Sequence, residues 1–382
     1  MKKICCLLLA IIYSTLCASA AMAEATPVSI KELPASTSPR WTQTYEAHGR
    51  TIKVDVDITI PKVNEISLLR AKKAEPIAEP RISELAAQYK KADKADKKHY
   101  YDFESGSYVT LGIRHKFPVV WGTSKNKEGS DDITSQDLDL IEYDPDQAYA
   151  DNNSLTVREA EEIILNQVKE ILPNLEMKLD TVVLEGKTYW RKNKKPVYDR
   201  GGYWLNFRQC FHGIPSLACI NDTFTDQSHT NLRDSWNTSN SGKAVCIVYD
   251  QESWSVNGCF YEEAGTILED VPVVPFDVVK GQMEALIQSG HVRWIQSASL
   301  GYVLFDTRNP DEYLLVPCWV VWCEYHPDGP FSERKYGIND SETMFQGNNA
   351  YYRALVFDAQ TGTMFDTENT SAERFLYPGL DK

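Results

Sequence analysis

The sequence predicts an α+β protein, and three observations carry that prediction. Two segments have helical periodicity, one opening at Ser154 or Thr156 and one running from Phe276 to Ile287. Each is followed by several strand-like runs, so the order helix-then-strands occurs twice, as an internal repeat of antiparallel units would. Finally, Tyr313 to Cys323 (YLLVPCWVVWC) is a long apolar run that reads as a strand buried on both faces.

In chain order, residues 1–23 read as an export signal. Lys2 and Lys3 form the positive start, Ile4 to Ile12 the apolar stretch, and Ala21-Met22-Ala23 a small-residue cleavage site before Glu24. The apolar stretch is too short to span a bilayer. Cys17 offers lipid anchoring as the alternative, and only that alternative would place the chain on a membrane. Residues 24–40, rich in Pro, Ser and Thr, read as a tether.

Residues 41–153 form an N-terminal β-rich segment ending in an acidic linker. From Thr51 to Ile60, Ile52, Val54, Val56, Ile58 and Ile60 alternate with Lys53, Asp55, Asp57 and Thr59. Behind Glu46 to Arg50, this is the second arm of a hairpin. Residues 82–92 read as a helix running into a charged linker, and Ser105 to Ile113 as a strand. The acidic stretch Asp131 to Asn153 lacks the Gly and Glu of a calcium-binding EF-hand loop and reads as a plain loop.

Residues 154–265 form the first helix-plus-sheet unit. Thr156-Val157-Arg158-Glu159 is a capping box, and Ala160, Ile163, Ile164, Val168 and Ile171 make an apolar stripe that stops before Pro173. Strands are expected at Leu175–Leu184, Tyr203–Phe211, Leu217–Phe224, Ala244–Tyr249 and Trp254–Glu262, with a loop over 186–202. Residues 266–382 form the second unit. Its helix buries Val279, Met283, Leu286 and Ile287, and strands follow at Ala298–Phe305, Tyr313–Trp322 and Tyr351–Phe357.

On these motifs the region 154–368 resembles the PepSY-like repeat of exported bacterial proteins. The first unit supplies the capping box and Phe211-His212-Gly213-Ile214-Pro215. The second supplies Leu300-Gly301-Tyr302, Leu315-Val316-Pro317-Cys318-Trp319 and Phe357-Asp358-Ala359-Gln360-Thr361-Gly362. The layout is also similar to YycH/YycI-type extracytoplasmic accessory proteins and to uncharacterised clostridial exported lipoproteins. The resemblance implies two helix-plus-antiparallel-sheet units and a regulatory role without catalytic residues.

Of nine cysteines, Cys5, Cys6 and Cys17 fall in the signal. Cys210, Cys219, Cys246, Cys259, Cys318 and Cys323 remain, an even number in an exported chain, which points to disulfides. A hairpin turning at Ile214-Pro215 sets Cys210 opposite Cys219, and one turning at Glu252-Ser253 sets Cys246 opposite Cys259. Cys318 and Cys323 sit an odd number of residues apart on one strand, so they point to opposite faces and cannot bridge.

The net charge of −14 argues against nucleic acid as a partner. Catalytic and metal-binding spacings are absent: no H-E-x-x-H, G-x-S-x-G or Walker loop occurs, and Cys318, Cys323 and His326 diverge too far for a metal site. No cofactor or metal is expected. The tryptophans on strand-like segments read as core or sheet-face residues. Trp236, in the polar stretch 229–242, is the surface aromatic candidate. The expected role is an exported, non-catalytic binding or regulatory protein acting at the bacterial cell surface on a protein or peptide partner. The alternatives are a secreted hydrolase of cell wall or polysaccharide, and a carbohydrate-binding module.

Overall fold

A computed structural model describes residues 26–74, 98–102, 108–114, 134–135, 138–140, 142–150, 154–190, 196–219, 242–250, 253–307, 309, 312–326 and 352–365. Among the described residues strand far outweighs helix and the strands join one large mixed sheet, so the two-unit α+β expectation is overturned. The strands are β1 (Arg40–Ala47), β2 (Arg50–Thr59), β3 (Leu68–Lys73), β4 (Lys98–Asp102), β5 (Tyr108–Arg114), β6 (Thr134–Ser135), β7 (Leu138–Leu140) and β8 (Glu176–Trp190). They continue with β9 (Pro196–Phe211), β10 (Ile214–Cys219), β11 (Lys243–Asp250), β12 (Ser253–Cys259), β13 (Tyr261–Leu268), β14 (Val292–Asp306), β15 (Glu312–Tyr325) and β16 (Tyr352–Asp358). Helices among the described residues are α1 (Leu33–Ser36), α2 (Val157–Ile171) and α3 (Phe276–Gln288).

Both long helices form where their local signals put them. The Thr156 hydroxyl accepts from the Glu159 amide at 3.1 Å while the Glu159 carboxylate accepts from the Thr156 amide at 2.8 Å, closing the capping box at the start of α2. Helix α3 buries Phe276, Val279, Met283 and Ile287. What differs is how the strands close. They do not make two self-contained PepSY-like sheets but one curled mixed sheet, ordered β13-β3-β15-β14-β10-β9-β11-β12-β5-β4 along its main path.

The short strand β10 is the seam. It pairs antiparallel with β9 through Ile214↔Phe211 and Pro215↔Cys210. It then pairs parallel with β14 from Ser216↔Tyr302 to Cys219↔Leu304. The approach needs Gly301, because a Cβ there would lie 2.6 Å from the Pro215 carbonyl oxygen. The Leu300-Gly301-Tyr302 motif therefore marks a strand crossing rather than the edge of a separate unit.

Three apolar clusters fill the fold. One lies between α3, the β1–β2 hairpin and the inner face of β14–β16. A second lies between α2 and β8, β9, β11 and β12. The third covers the opposite face of β14–β16. Strand β15 divides its side chains as expected, with Tyr313, Leu315, Trp319, Val321 and Cys323 in the first cluster and Leu314, Val316, Cys318 and Val320 in the third.

Two further expectations change. Residues 24–40 were expected as a tether, yet Ile30 and Leu33 are buried and Val28 bridges Val273. The Pro-rich composition reflects a short α1 with Pro34 in its first turn, not an unanchored linker. Within the loop expected over 186–202, residues 186–190 and 196–202 are instead strand, with β8 and β9 paired out to Trp190↔Pro196. The signal, Cys17, the helix expected at 82–92 and Trp236 lie outside the described residues.

Candidate functional site

The site is built where two parallel strands part. The β1–β2 hairpin turns at His48 and Gly49, whose φ angles of 49° and 73° make the left-handed two-residue turn that suits a twisted hairpin. Alternation then buries Ile52, Val54, Val56 and Ile58 and leaves Lys53, Asp55 and Asp57 exposed, as the sequence reading has it. The hairpin is tied to α3 by Tyr45, whose hydroxyl donates to Glu284 at 2.7 Å and accepts from the Trp41 indole at 3.1 Å. Burial, reinforced by the Glu284 carboxylate, pushes the Tyr45 hydroxyl well above the ordinary tyrosine pKa, so it stays a donor.

At its far end β2 ladders parallel to β14 through Ile58↔Ala298 and Thr59↔Ser299. Towards the hairpin turn the strands diverge, and an open cleft of about 570 Å³ lies there. It is lined by Gly49, Arg50, Thr51, Ile52, Lys53, Arg293 and Trp294. Among the described residues its lining has three cationic side chains and one indole, with the Glu46 carboxylate hydrogen-bonded to Thr51 at 2.8 Å, in a chain whose net charge is −14.

Bulges in β14 set the cleft wall. Val292 pairs with Tyr325 and Trp294 with Glu324, so Arg293 is an extra residue in the strand, and Gln296 is a second. A bulge re-aims the side chains on either side of it. Here the Arg293 Nε donates to Glu324 Oε2 at 3.1 Å, and Glu324 Oε1 meets His326 Nε2 at 2.9 Å. The Glu324 side chain is 1% exposed, His326 6% and Arg293 20%, so the carboxylate is sealed while the guanidinium still reaches the cleft. Behind them His291 stacks on Tyr325, with ring centroids 6.3 Å apart, and its carbonyl accepts from the His326 amide at 2.7 Å. The arrangement can hold an anion through Arg and Lys donors and rest an apolar group on Trp294.

Among the described residues that line this site there is no cysteine. The β9–β10 turn sits at His212-Gly213 rather than Ile214-Pro215, so Cys210 faces Pro215, and Cys219 ladders with Leu304 of β14. The β11–β12 register places Cys246 opposite Val256, and Cys259 ladders with Tyr108 of β5. Cys210, Cys246 and Cys318 are buried free thiols, so neither proposed bridge forms. Burial, with Glu176 nearby, pushes the Cys210 thiol up to about 11. Among the described residues, no three His, Cys, Asp or Glu side chains converge as metal ligands.

The cleft residues Arg50, Lys53, Arg293 and Trp294 were not singled out from sequence as a site. One signal was available. Glu324 and His326 are the charged or titratable side chains in the run Leu314 to His326 that are neither apolar nor cysteine, and a carboxylate inside such a strand requires a cationic partner.

No protein-family model matches the chain, and no curated protein matches it. Among solved structures the chain is similar to an uncharacterized protein from Eubacterium rectale ATCC 33656, at 14% identity and a TM-score of 0.49. The match covers 88% of this chain and 97% of that one.

Proposed function

We propose that the chain is an exported, non-catalytic binding or regulatory protein that acts at the bacterial cell surface, and that its cleft holds an anionic segment of a protein partner. The supporting observation is the cleft's composition: Arg50, Lys53 and Arg293 converge there beside Trp294 in an otherwise acidic molecule. Such a local field selects anionic ligands against the repulsion of the rest of the surface. Glu324 is buried between Arg293 and His326, which suits a support for the guanidinium and not a general acid for a glycan.

The test is chemical cross-linking of the mature chain in bacterial surface extracts, run beside a double variant, Arg50→Glu with Lys53→Glu. The expected result is one partner protein captured by the wild type and lost with the variant. Undiminished capture by the variant overturns the assignment to the cleft. Release of reducing sugar from wall polysaccharide by the wild type, and not by a heat-treated control, overturns the non-catalytic reading.

A further inference from the structure

Behind the cleft wall, three ionisable side chains form a chain. The Arg293 Nε donates to one oxygen of Glu324 at 3.1 Å, and His326 Nε2 meets the other oxygen at 2.9 Å. A carboxylate only accepts, so the imidazole donates to it from Nε2, and a second ring proton goes to Nδ1. With the ring neutral, one guanidinium balances one carboxylate. With the ring charged, two cations share that carboxylate and the cluster gains a net positive charge.

Access to water decides which of the two contacts yields. Glu324 and His326 are sealed inside the protein, whereas Arg293 is 20% exposed and lines the cleft. A buried imidazolium has to keep its carboxylate, because an ion left alone in the interior is costly. A guanidinium that reaches the cleft can exchange the carboxylate for water or for a ligand.

We propose that His326 is a positioning residue that links proton uptake to anion binding in the cleft: its imidazolium takes over Glu324 and leaves the Arg293 guanidinium to the ligand. The inference rests on the reading of the cleft as an anion-binding site and adds its regulation. The link is reciprocal, so a bound anion favours the proton by the factor with which the proton favours the anion. Anion affinity rises as pH falls through the range in which imidazoles titrate.

Other titratable groups surround the pair. Ahead of β14, the His291 carbonyl accepts from the His326 amide, and the His291 ring, with Nδ1 2.8 Å from Ser289 Oγ, stacks on Tyr325. Strand β16 sets Tyr352 opposite Glu324 and Arg353 opposite Cys323 in the ladder. Arg50 and Lys53 also line the cleft, with Glu46 on Thr51 and His48 at the hairpin turn. His48 and His291 are the described histidines whose protonation would imitate the effect, so both serve as controls.

The experiment has two arms, each on the whole mature chain at about pH 8 and about pH 5.5. In the first, Arg293→Met is made in the wild type and in His326→Gln, which keeps an amide donor for Glu324 but cannot titrate. Without Arg293 the imidazole beside Glu324 takes its proton more readily, so the damage should shrink as pH falls. The factor by which Arg293→Met raises the urea unfolding constant is expected to be about tenfold smaller at the lower pH. In the His326→Gln background it should be the same at both. If His326→Gln does not fold, NMR of the His326 ring decides: it should titrate at higher pH in Arg293→Met than in the wild type, and coincident curves overturn the proposal.

The second arm titrates inorganic sulfate, whose charge is constant over this range, and follows the Trp294 indole resonance. Binding is expected to be about tenfold tighter at the lower pH. His48→Gln and His291→Gln should keep that difference, and His326→Gln should lose it. Equal sulfate affinity at both pH values, or an Arg293→Met factor that ignores pH, overturns the role of His326 while leaving the anion site standing. If the first arm succeeds and sulfate finds no site that depends on Arg50 and Lys53, the reading of the cleft fails, and the link to a ligand with it.

Discussion

Replacing Arg293 by methionine tests whether the wall of the cleft is built as described. Methionine keeps much of the arginine stem's packing and removes the guanidinium from Glu324. The carboxylate, 1% exposed, is then left with the His326 ring at 2.9 Å as its remaining close partner. Breaking a buried ion pair from one side costs about 3–5 kcal/mol. Because Arg293 is itself 20% exposed, the pair is not wholly withdrawn from water, and about 2–3 kcal/mol is the better figure. Glu324→Gln removes the charge but keeps a carbonyl oxygen for one bond, at a cost of about 1–2 kcal/mol. Once the carboxylate is gone, losing Arg293 adds little. The double variant should therefore cost about 2 kcal/mol, and the coupling between the two sites should be about 2 kcal/mol. Equilibrium urea unfolding of all four proteins, followed by tryptophan fluorescence, measures it. A coupling below about 0.5 kcal/mol would show that the two side chains do not support one another in solution, and the account of the bulge would fall.

Tyr203→Phe should cost about 2–3 kcal/mol. Its hydroxyl donates to the Leu155 carbonyl at 2.8 Å and accepts from the Tyr149 and Ala150 amides at 2.7 and 3.3 Å. Faster amide exchange at Tyr149 and Ala150 is the specific sign, and unchanged exchange there refutes the role. For Asp180, desolvation by burial opposes ionisation, but the charge and hydrogen bond of Arg208, with Lys243 and Lys178, outweigh it and hold the carboxyl below its ordinary value. A carboxyl lowered on folding stabilises above its unfolded pKa of about 3.9 and loses that contribution as pH falls through the folded value. Since its side chain is 36% exposed, Asp180→Asn should destabilise by about 0.5–1 kcal/mol at pH 7. The gap from the wild type should close towards pH 3, and a gap of the same size at both pH values contradicts the assignment. Cys210 and Cys246 should resist alkylation in the native protein and react on unfolding, since burial raises both thiols. A Cys210–Cys219 or Cys246–Cys259 link in an unreduced peptide map would refute the strand register.

Helices and buried strands were legible because their signals are local. The capping box at Thr156, the stripe Phe276-Val279-Met283-Ile287 and the two-faced run of β15 each lie within one element. Hairpin register was not legible where the turn chemistry misled. Pro215 invites a turn, yet it sits in β10, and the reversal falls to His212 and Gly213 at φ of 53° and 78°. A non-glycine residue in that conformation is uncommon, so the turn centre was displaced and the cysteine pairings with it. The fold class failed for a different reason. Helix and strand positions do not say which strand a short segment such as β10 will join, and its parallel pairing with β14 converts two expected sheets into one. The candidate site was hidden by the same kind of non-local event. Arg293 meets Glu324 because β14 bulges against β15, 31 residues apart in sequence, and no pattern in either segment announces the bulge.

Strand β14 has neighbours that change along its length. Its first residues form the cleft wall, Ala298 and Ser299 hold β2, and Tyr302 to Leu304 hold β10, which leads on to β9 and the sheet over α2. Between the last two attachments stands Gly301, where the backbones are too close to admit a methyl group. There is little slack at that crossing, so a pull on the cleft end of β14 is passed along the strand instead of being absorbed by repacking. Any side chain larger than hydrogen at 301 would have to push β10 off β14, and so open the joint through which the two parts of the sheet are continuous.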